Sequence, residues 1–327
     1  MISHGGLIFL WDMWEMKKLL MFLIFTGGIS DAYGANILTL EEALRSTYTS
    51  CVGIDNQLHD LKVMAGINTA VTSVGTAAGV GATVTGFVKQ STDNEIEELL
   101  KRMQELSAKY QGGTPSEAEK NAFWSEFNNT YKAAITDLAT AQSRIDNLTA
   151  KSKKLGNWRT GLLATGTATN IAGAAIAGTT KVDADLDTQI KNCIKSVSSL
   201  RNSIMQARMD GIDISEAQSI ADACEGYSTV DLSKINKRGT GAMASSVVGA
   251  ATGLAGTITS GVANTDKTRD DDSDAGKKRE KGLNTASNVL ALGTTAASAT
   301  ATVFNATQIA AIKQVSKVAE KCTEVLK

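Results

Sequence analysis

The chain has 327 residues, 33 basic against 34 acidic side chains, 5% aromatic residues and a single proline, Pro115. Near-neutrality leaves no global field to recruit nucleic acid. The only histidines are His4 and His59, which excludes a His-based metal cluster and most routes to a catalytic triad.

At the N-terminus, Met16-Lys17-Lys18 precedes a seven-residue apolar run, Leu19–Phe25. Ala32-Tyr33-Gly34 then puts small residues at the −3 and −1 positions of a cleavage site before Ala35. This is the layout of a secretory signal peptide, with Met16 as the start that makes sense of it. The run is too short to span a bilayer, which needs about 20 residues. Residues 1–34 are therefore expected to be a leader, and the mature chain to be exported to a periplasmic or extracellular space. The four cysteines, Cys51, Cys193, Cys224 and Cys322, all follow the leader, an even number suited to an oxidising compartment. Losing the leader removes three acidic and two basic side chains and leaves a neutral protein.

Helix starts come next. Thr39–Glu42 has a capping-box pattern with Leu38 as a staple, and Thr92–Glu95 repeats it. Thr114-Pro115-Ser116-Glu117 adds proline at a first helical position. Ser215–Gln218 opens the segment that carries Cys224. The apolar residues step by three and four: Leu40, Leu44, Thr47, Cys51, Ile54, Leu58, Leu61 and Ala65 form one stripe. Leu186, Cys193, Val197, Leu200 and Ile204 form a second, and Ile312, Val315, Ala319, Cys322 and Leu326 a third. Around Cys224 the pattern is weaker.

Four stretches carry no charge and consist mostly of Gly, Ala, Thr, Ser and Val: Val63–Val88, Thr160–Thr180, Gly239–Thr265 and Gly282–Ile312. Cys51, Cys193, Cys224 and Cys322 lie about 24, 23, 28 and 25 residues from their centres. In an antiparallel hairpin, facing positions have a constant sum of residue numbers. For the first pair the centres add to 245.5 and the cysteines to 244; for the second, to 549 and 546. Both mismatches are less than one turn of about 3.6 residues. The fold expected is all-α: an elongated antiparallel helical bundle of two tandem helical hairpins with small-residue helix contacts and coiled-coil-like arms. The first hairpin covers residues 35–208 with an inserted helical tip at 89–159. The second covers 209–327 with a short charged tip at 266–281. Equal heights favour Cys51–Cys193 and Cys224–Cys322. If the hairpins pack side by side, all four thiols share a level and cross-hairpin pairing stays open. Gly75, Gly79, Ala82 and Gly86 let helix axes approach closely, at a cost of about 1 kcal/mol for each interior Gly relative to Ala. A strand reading of the Thr- and Val-rich stretches competes, but valines at 71, 74, 80, 84 and 88 suit a helix better than alternation.

Candidate chemistry is sparse. There is no Cys-x-x-Cys and no phosphate-binding glycine loop. Asp270, Asp272 and Asp274 alternate like the first ligands of a calcium loop, but the twelfth position is Lys281. No cofactor, metal or enzymatic activity is expected. Phe123, Trp124, Phe127 and Tyr131 cluster at helical spacing, either as a partner-binding face or as the local core of a small subdomain. Two functional readings follow. The first is an exported structural or interaction protein presenting its tip to an unknown protein partner or to itself. The second is a membrane-inserting or pore-forming helical protein, since at 1.5 Å per residue even the shortest uncharged stretch reaches about 32 Å.

Overall fold

The computed structural model describes residues 31–110, 116–131, 135–269 and 273–327, with side chains described at all of these but 31–36, 106–107, 109–110 and 131. The leader's apolar run, Asp270 and Asp272, and the Tyr131 side chain lie outside this set. Every regular element among the described residues is helical. In chain order they are α1 (Asp31–Cys51), α2 (Ile54–Tyr110), α3 (Glu117–Tyr131), α4 (Leu138–Thr179), α5 (Ala184–Met209) and α6 (Ser215–Cys224). A 3₁₀ turn (Glu225–Thr229), α7 (Ser233–Ala263), α8 (Asp266–Arg269) and α9 (Asp274–Leu326) complete the chain. With only Pro115 to interrupt them, α2 and α9 run for 57 and 53 residues.

The capping-box expectations fare unevenly. Thr39 lies within α1 and Thr92 within α2, so neither starts a helix. Thr92 turns its hydroxyl back to the Val88 carbonyl, and the helix runs through it. Near the third box, Ser116 exchanges bonds with Glu119, two residues along from the expected Thr114–Glu117 pair, whose Thr114 lies outside the described residues. At α6 the residue before Ser215, Ile214, has no side-chain cap bond. A box that the sequence reading passed over, Asp137 with Thr140, opens α4. There the Thr140 amide holds the Asp137 carboxyl below its ordinary pKa.

The described residues divide into two compact units, each drawing on both halves of the chain. The first comprises residues up to Asp55, Ala184–Val230 and Lys317–Lys327. It has an ordinary apolar core. Leu186, Ile190, Val197, Leu200 and Ile204 of α5 are buried, as are Ala217, Ile220 and Ala221 of α6 and Tyr227 of the following turn. Burial pushes the Tyr227 hydroxyl pKa up. Gly53 (φ 91°) and Gly211 (φ 75°) supply left-handed turns after α1 and α5 that a side chain would strain. Leu40 is buried as the seam expects, whereas Leu44 is only half-buried and Ala43 takes the inner position.

The second unit comprises Asn56–Asp183 and Asp231–Ser316. Its helices α2, α4, α7 and α9 form a closed ring of antiparallel neighbours. Facing pairs in α2 and α4, Gly75 with Thr169 and Thr72 with Gly173, have numbers that add to 244 and 245. Facing pairs in α7 and α9, Gly256 with Leu290 and Thr252 with Gly293, add to 546 and 545. The expected hairpin registers are therefore present. The ring closes through Gly79 against Thr295 (α2 to α9) and Gly253 against Thr167 (α4 to α7). Beyond the ring, Leu99, Trp124, Phe127, Ile135, Ala141, Ile145 and Leu148 build a separate apolar cluster, with Ile96, Met103 and Phe123 at its edge. Asn128 fastens it by bonding both the amide and the carbonyl of Ile135.

Candidate functional site

Two features stand apart from ordinary helical packing: the paired disulfides of the first unit and the inverted polarity of the second. The disulfides join Cys51 to Cys193 and Cys224 to Cys322. All four sulfurs are buried. Those of Cys51, Cys193 and Cys322 lie within 4.8 Å of one another, so the two bridges are neighbours. Three sulfurs at such spacing could ligate a soft metal only as thiolates, and here each is consumed in a disulfide.

Within the ring of the second unit most residues that face inward are polar or very small, with Leu163, fully buried beside Ala82 and Ala291, as an apolar exception. Asn68 donates to Asn305 at 2.9 Å, and Thr302 and Asn305 both donate to the Thr72 hydroxyl. Asn170 and Ser298 exchange bonds of 2.8 and 3.1 Å. Thr252 meets Thr294 at 3.1 Å, and the Gln308 amide reaches the carbonyls of Thr180 and Ile235. Asn68, Asn170, Ser246, Ser298, Thr294, Asn305 and Gln308 are all fully buried. Glycines make room for them. A Cβ on Gly249 would lie 2.7 Å from Asn170 Oδ1, and one on Gly79 would lie 3.0 Å from the Thr295 Cα.

The same helices turn their apolar residues outward. Val74, Val80, Val84, Ile171, Val247, Val248, Leu254, Ile258, Val289, Leu292 and Val303 are exposed, Val289 and Val303 to 62% and 61%. A helix bundle folded by water does the reverse, and a contiguous apolar surface on a soluble monomer marks an interaction site. Among the described residues, three helical segments are long and apolar enough to cross a membrane: Ile37–Glu105, Ser233–Ala263 and Asp274–Leu326. α4 is not one of them, although its Ile171 is exposed like the apolar residues of its neighbours.

Each end of the inverted zone is marked. At one end Arg159 is completely buried, donating to Ser260 at 2.9 Å, Asn288 at 3.0 Å and Asn284 at 2.8 Å. A buried guanidinium solvated by neutral oxygens is tolerated when its nitrogens find acceptors, and each of the three nitrogens of Arg159 donates to one. Next to this level, Trp158 and Phe87 are exposed. Just beyond, Lys89 is buried against Asp93 at 2.5 Å and Glu280 at 3.7 Å, and Ser152 also bonds Asp93. At the other end sits Gln308. From Asn288 to Gln308 is 20 residues of α9, or about 30 Å at 1.5 Å per residue.

The other candidates lie elsewhere among the described residues. Trp124 and Phe127 lie 4% and 2% exposed inside the apolar cluster, with Phe123 partly buried beside them. The three rings pack edge to face, with centroids 5.0 and 6.2 Å apart. His59 is exposed on α2, and Asp274 is exposed at the start of α9. What sequence reasoning missed is Arg159, which enters it only as the last residue of the 89–159 tip. Its flanking asparagines at 284 and 288, four apart on one face, were the available signal. No protein-family model, curated protein or solved structure matches the chain.

Proposed function

We propose that the protein is an exported, non-enzymatic, membrane-inserted helical protein whose second unit sits in a bilayer with its valine- and leucine-bearing surface against lipid. The observation that carries this reading is the inverted polarity of α2, α4, α7 and α9. In hydrocarbon, polar side chains find their only partners inside the bundle, and apolar ones lose nothing by facing out. Small residues at the contacts are what such helices use in place of a hydrophobic driving force. A zone of about 30 Å matches the hydrocarbon core, and Trp158 at its edge occupies the position favoured by interfacial aromatics. The disulfides of the first unit support an oxidising compartment.

A packed interior supports a closed bundle rather than a conduit. Asn170 meets Ser298 and Thr252 meets Thr294 inside the ring, with the backbones of Gly249 and Gly293 drawn up to Asn170 and Thr252. The test is membrane fractionation of expressing cells followed by carbonate washing, with flotation of the purified chain on vesicles. The protein is expected in the washed membrane fraction and with the floated vesicles, without dye leakage. Recovery wholly in the soluble fraction, with no flotation, refutes the proposal.

A further inference from the structure

Every uncharged stretch of the second unit ends on a cation at the Gln308 end of the zone. These are Lys62 on α2, Lys181 just after α4, Arg238 on α7 and Lys313 on α9. The contacts fix their height. Asn68 pairs with Asn305, which puts Lys62 level with Ala311 in an antiparallel neighbour. The Lys181 stem lies where a Cβ on Gly239 would touch it, beside Gln308, and Arg238 donates to the Thr307 carbonyl. The four cations thus fall between the levels of Thr307 and Lys313, a band about 9 Å deep at 1.5 Å per residue. None of the four is buried. The acidic groups at this end of the unit are Asp60, Asp183 and Asp231. Lys234 and Lys237 add to the cations, Lys234 lying 3.9 Å from Asp231.

The opposite end has a different construction. Its boundary residues are Lys89, Arg159, Asp266 and Lys281. Lys89 and Arg159 are turned inward and buried, Lys281 lies 3.7 Å from Glu97, and Asp266 reverses the sign. Exposed cations also lie at this end, among them Lys153, 3.2 Å from Asp266, with Lys267, Lys278 and Lys281; what distinguishes the Gln308 end is that all four stretches meet a cation there and none of the four is buried.

We propose that Lys62, Lys181, Arg238 and Lys313 form a collar that binds the anionic headgroups of phospholipids lining the second unit. The argument rests on the membrane reading above and adds charge complementarity to it. Basic side chains that flank an apolar span place their stems along the chains and their charge among headgroup phosphates.

The experiment reconstitutes the full chain into vesicles of phosphatidylcholine alone and of phosphatidylcholine mixed with phosphatidylglycerol. The lipids that stay with the protein after gentle detergent extraction are then counted by native mass spectrometry. Phosphatidylglycerol is expected to be enriched several-fold over its share of the mixture, less so in high salt. The variant K62Q/K181Q/R238Q/K313Q is expected to return the bound lipids to the bulk ratio. K62R/K181R/K313R keeps the enrichment, which separates charge from loss of fold. K153Q/K277Q/K278Q, at the other end, leaves it unchanged. A bulk ratio for the unaltered protein overturns the collar while leaving the membrane reading intact. So does equal loss of enrichment in the opposite-end variant, or persistence of it in the quadruple glutamine variant. Failure to enter vesicles of either composition overturns both.

Discussion

Changing Gly66 and Gly79 to alanine, one at a time, separates helix propensity from helix packing within a single helix. Both glycines lie inside α2, so each substitution gains the same propensity, about 1 kcal/mol. They differ in what the new methyl group meets. At Gly66 there is nothing within 4 Å. At Gly79 the methyl would stand 2.6 Å from Thr295 Oγ1, 3.0 Å from its Cα and 3.2 Å from its Cβ. Carbon atoms pack comfortably at about 3.5–4.0 Å, so α2 must withdraw from α9 by roughly half an ångström. A Cα cannot rotate out of the way. Overpacking of this kind costs about 1–3 kcal/mol. The propensity gain cancels between the two variants, and Gly79→Ala should be less stable than Gly66→Ala by about 1–3 kcal/mol. Gly66→Ala should itself exceed the unaltered protein. Thermal unfolding in detergent with the disulfides intact, followed by circular dichroism, reads the order. If Gly79→Ala is as stable as Gly66→Ala, the close approach of α2 and α9 is not what holds the ring together.

Three other outcomes follow from particular contacts. Arg159→Leu leaves the Asn284 and Asn288 oxygens without their donor, each at about 1–3 kcal/mol, and should lower the unfolding midpoint, while Arg159→Lys recovers part of the loss. Cys51→Ala/Cys193→Ala opens a loop with a sequence separation of 142 and should cost about 2–5 kcal/mol in chemical denaturation. Non-reducing peptide mapping of the unaltered chain should return Cys51–Cys193 and Cys224–Cys322, and a Cys51–Cys322 peptide would contradict the pairing. The third concerns acid. Arg201 bonds Glu225 at 2.8 Å and holds its carboxyl below the ordinary range. A depressed carboxylate contributes stability that is present above its unfolded pKa and is lost as pH falls through the folded one. Both groups are well exposed, so the effect is small; Glu225→Gln should flatten the acid limb of a midpoint-against-pH curve slightly.

Helix content, the hairpin registers and the disulfide pairing were legible because each rests on a sum or a period that sequence displays. The Thr39 and Thr92 boxes misled because a capping pattern is local, whereas α1 and α2 continue through it on the strength of packing on either side. Which hairpin faces which was not legible. The α2–α9 and α4–α7 contacts depend on glycines at 79, 86, 249 and 253 that would serve any close neighbour equally well. Nor was the direction of polarity. Periodicity showed that Val80, Val84 and Val88 share a face of α2, but the same spacing describes a face turned in or out. Only the three-dimensional arrangement, with Asn68 and Asn305 bonded on the inside, decides it.

Lipid contact with the apolar surface of the second unit is most directly measured with a phosphatidylcholine carrying a photoactivatable diazirine midway along its acyl chain. After illumination of reconstituted protein, adducts are mapped by peptide mass spectrometry. Adducts are expected on the peptides bearing Val74, Val84, Val247, Leu254, Val289 and Val303, and not on the Leu186–Ile204 peptide of the first unit. Labelling spread evenly over both units, or missing from the valine-bearing peptides, would contradict the account.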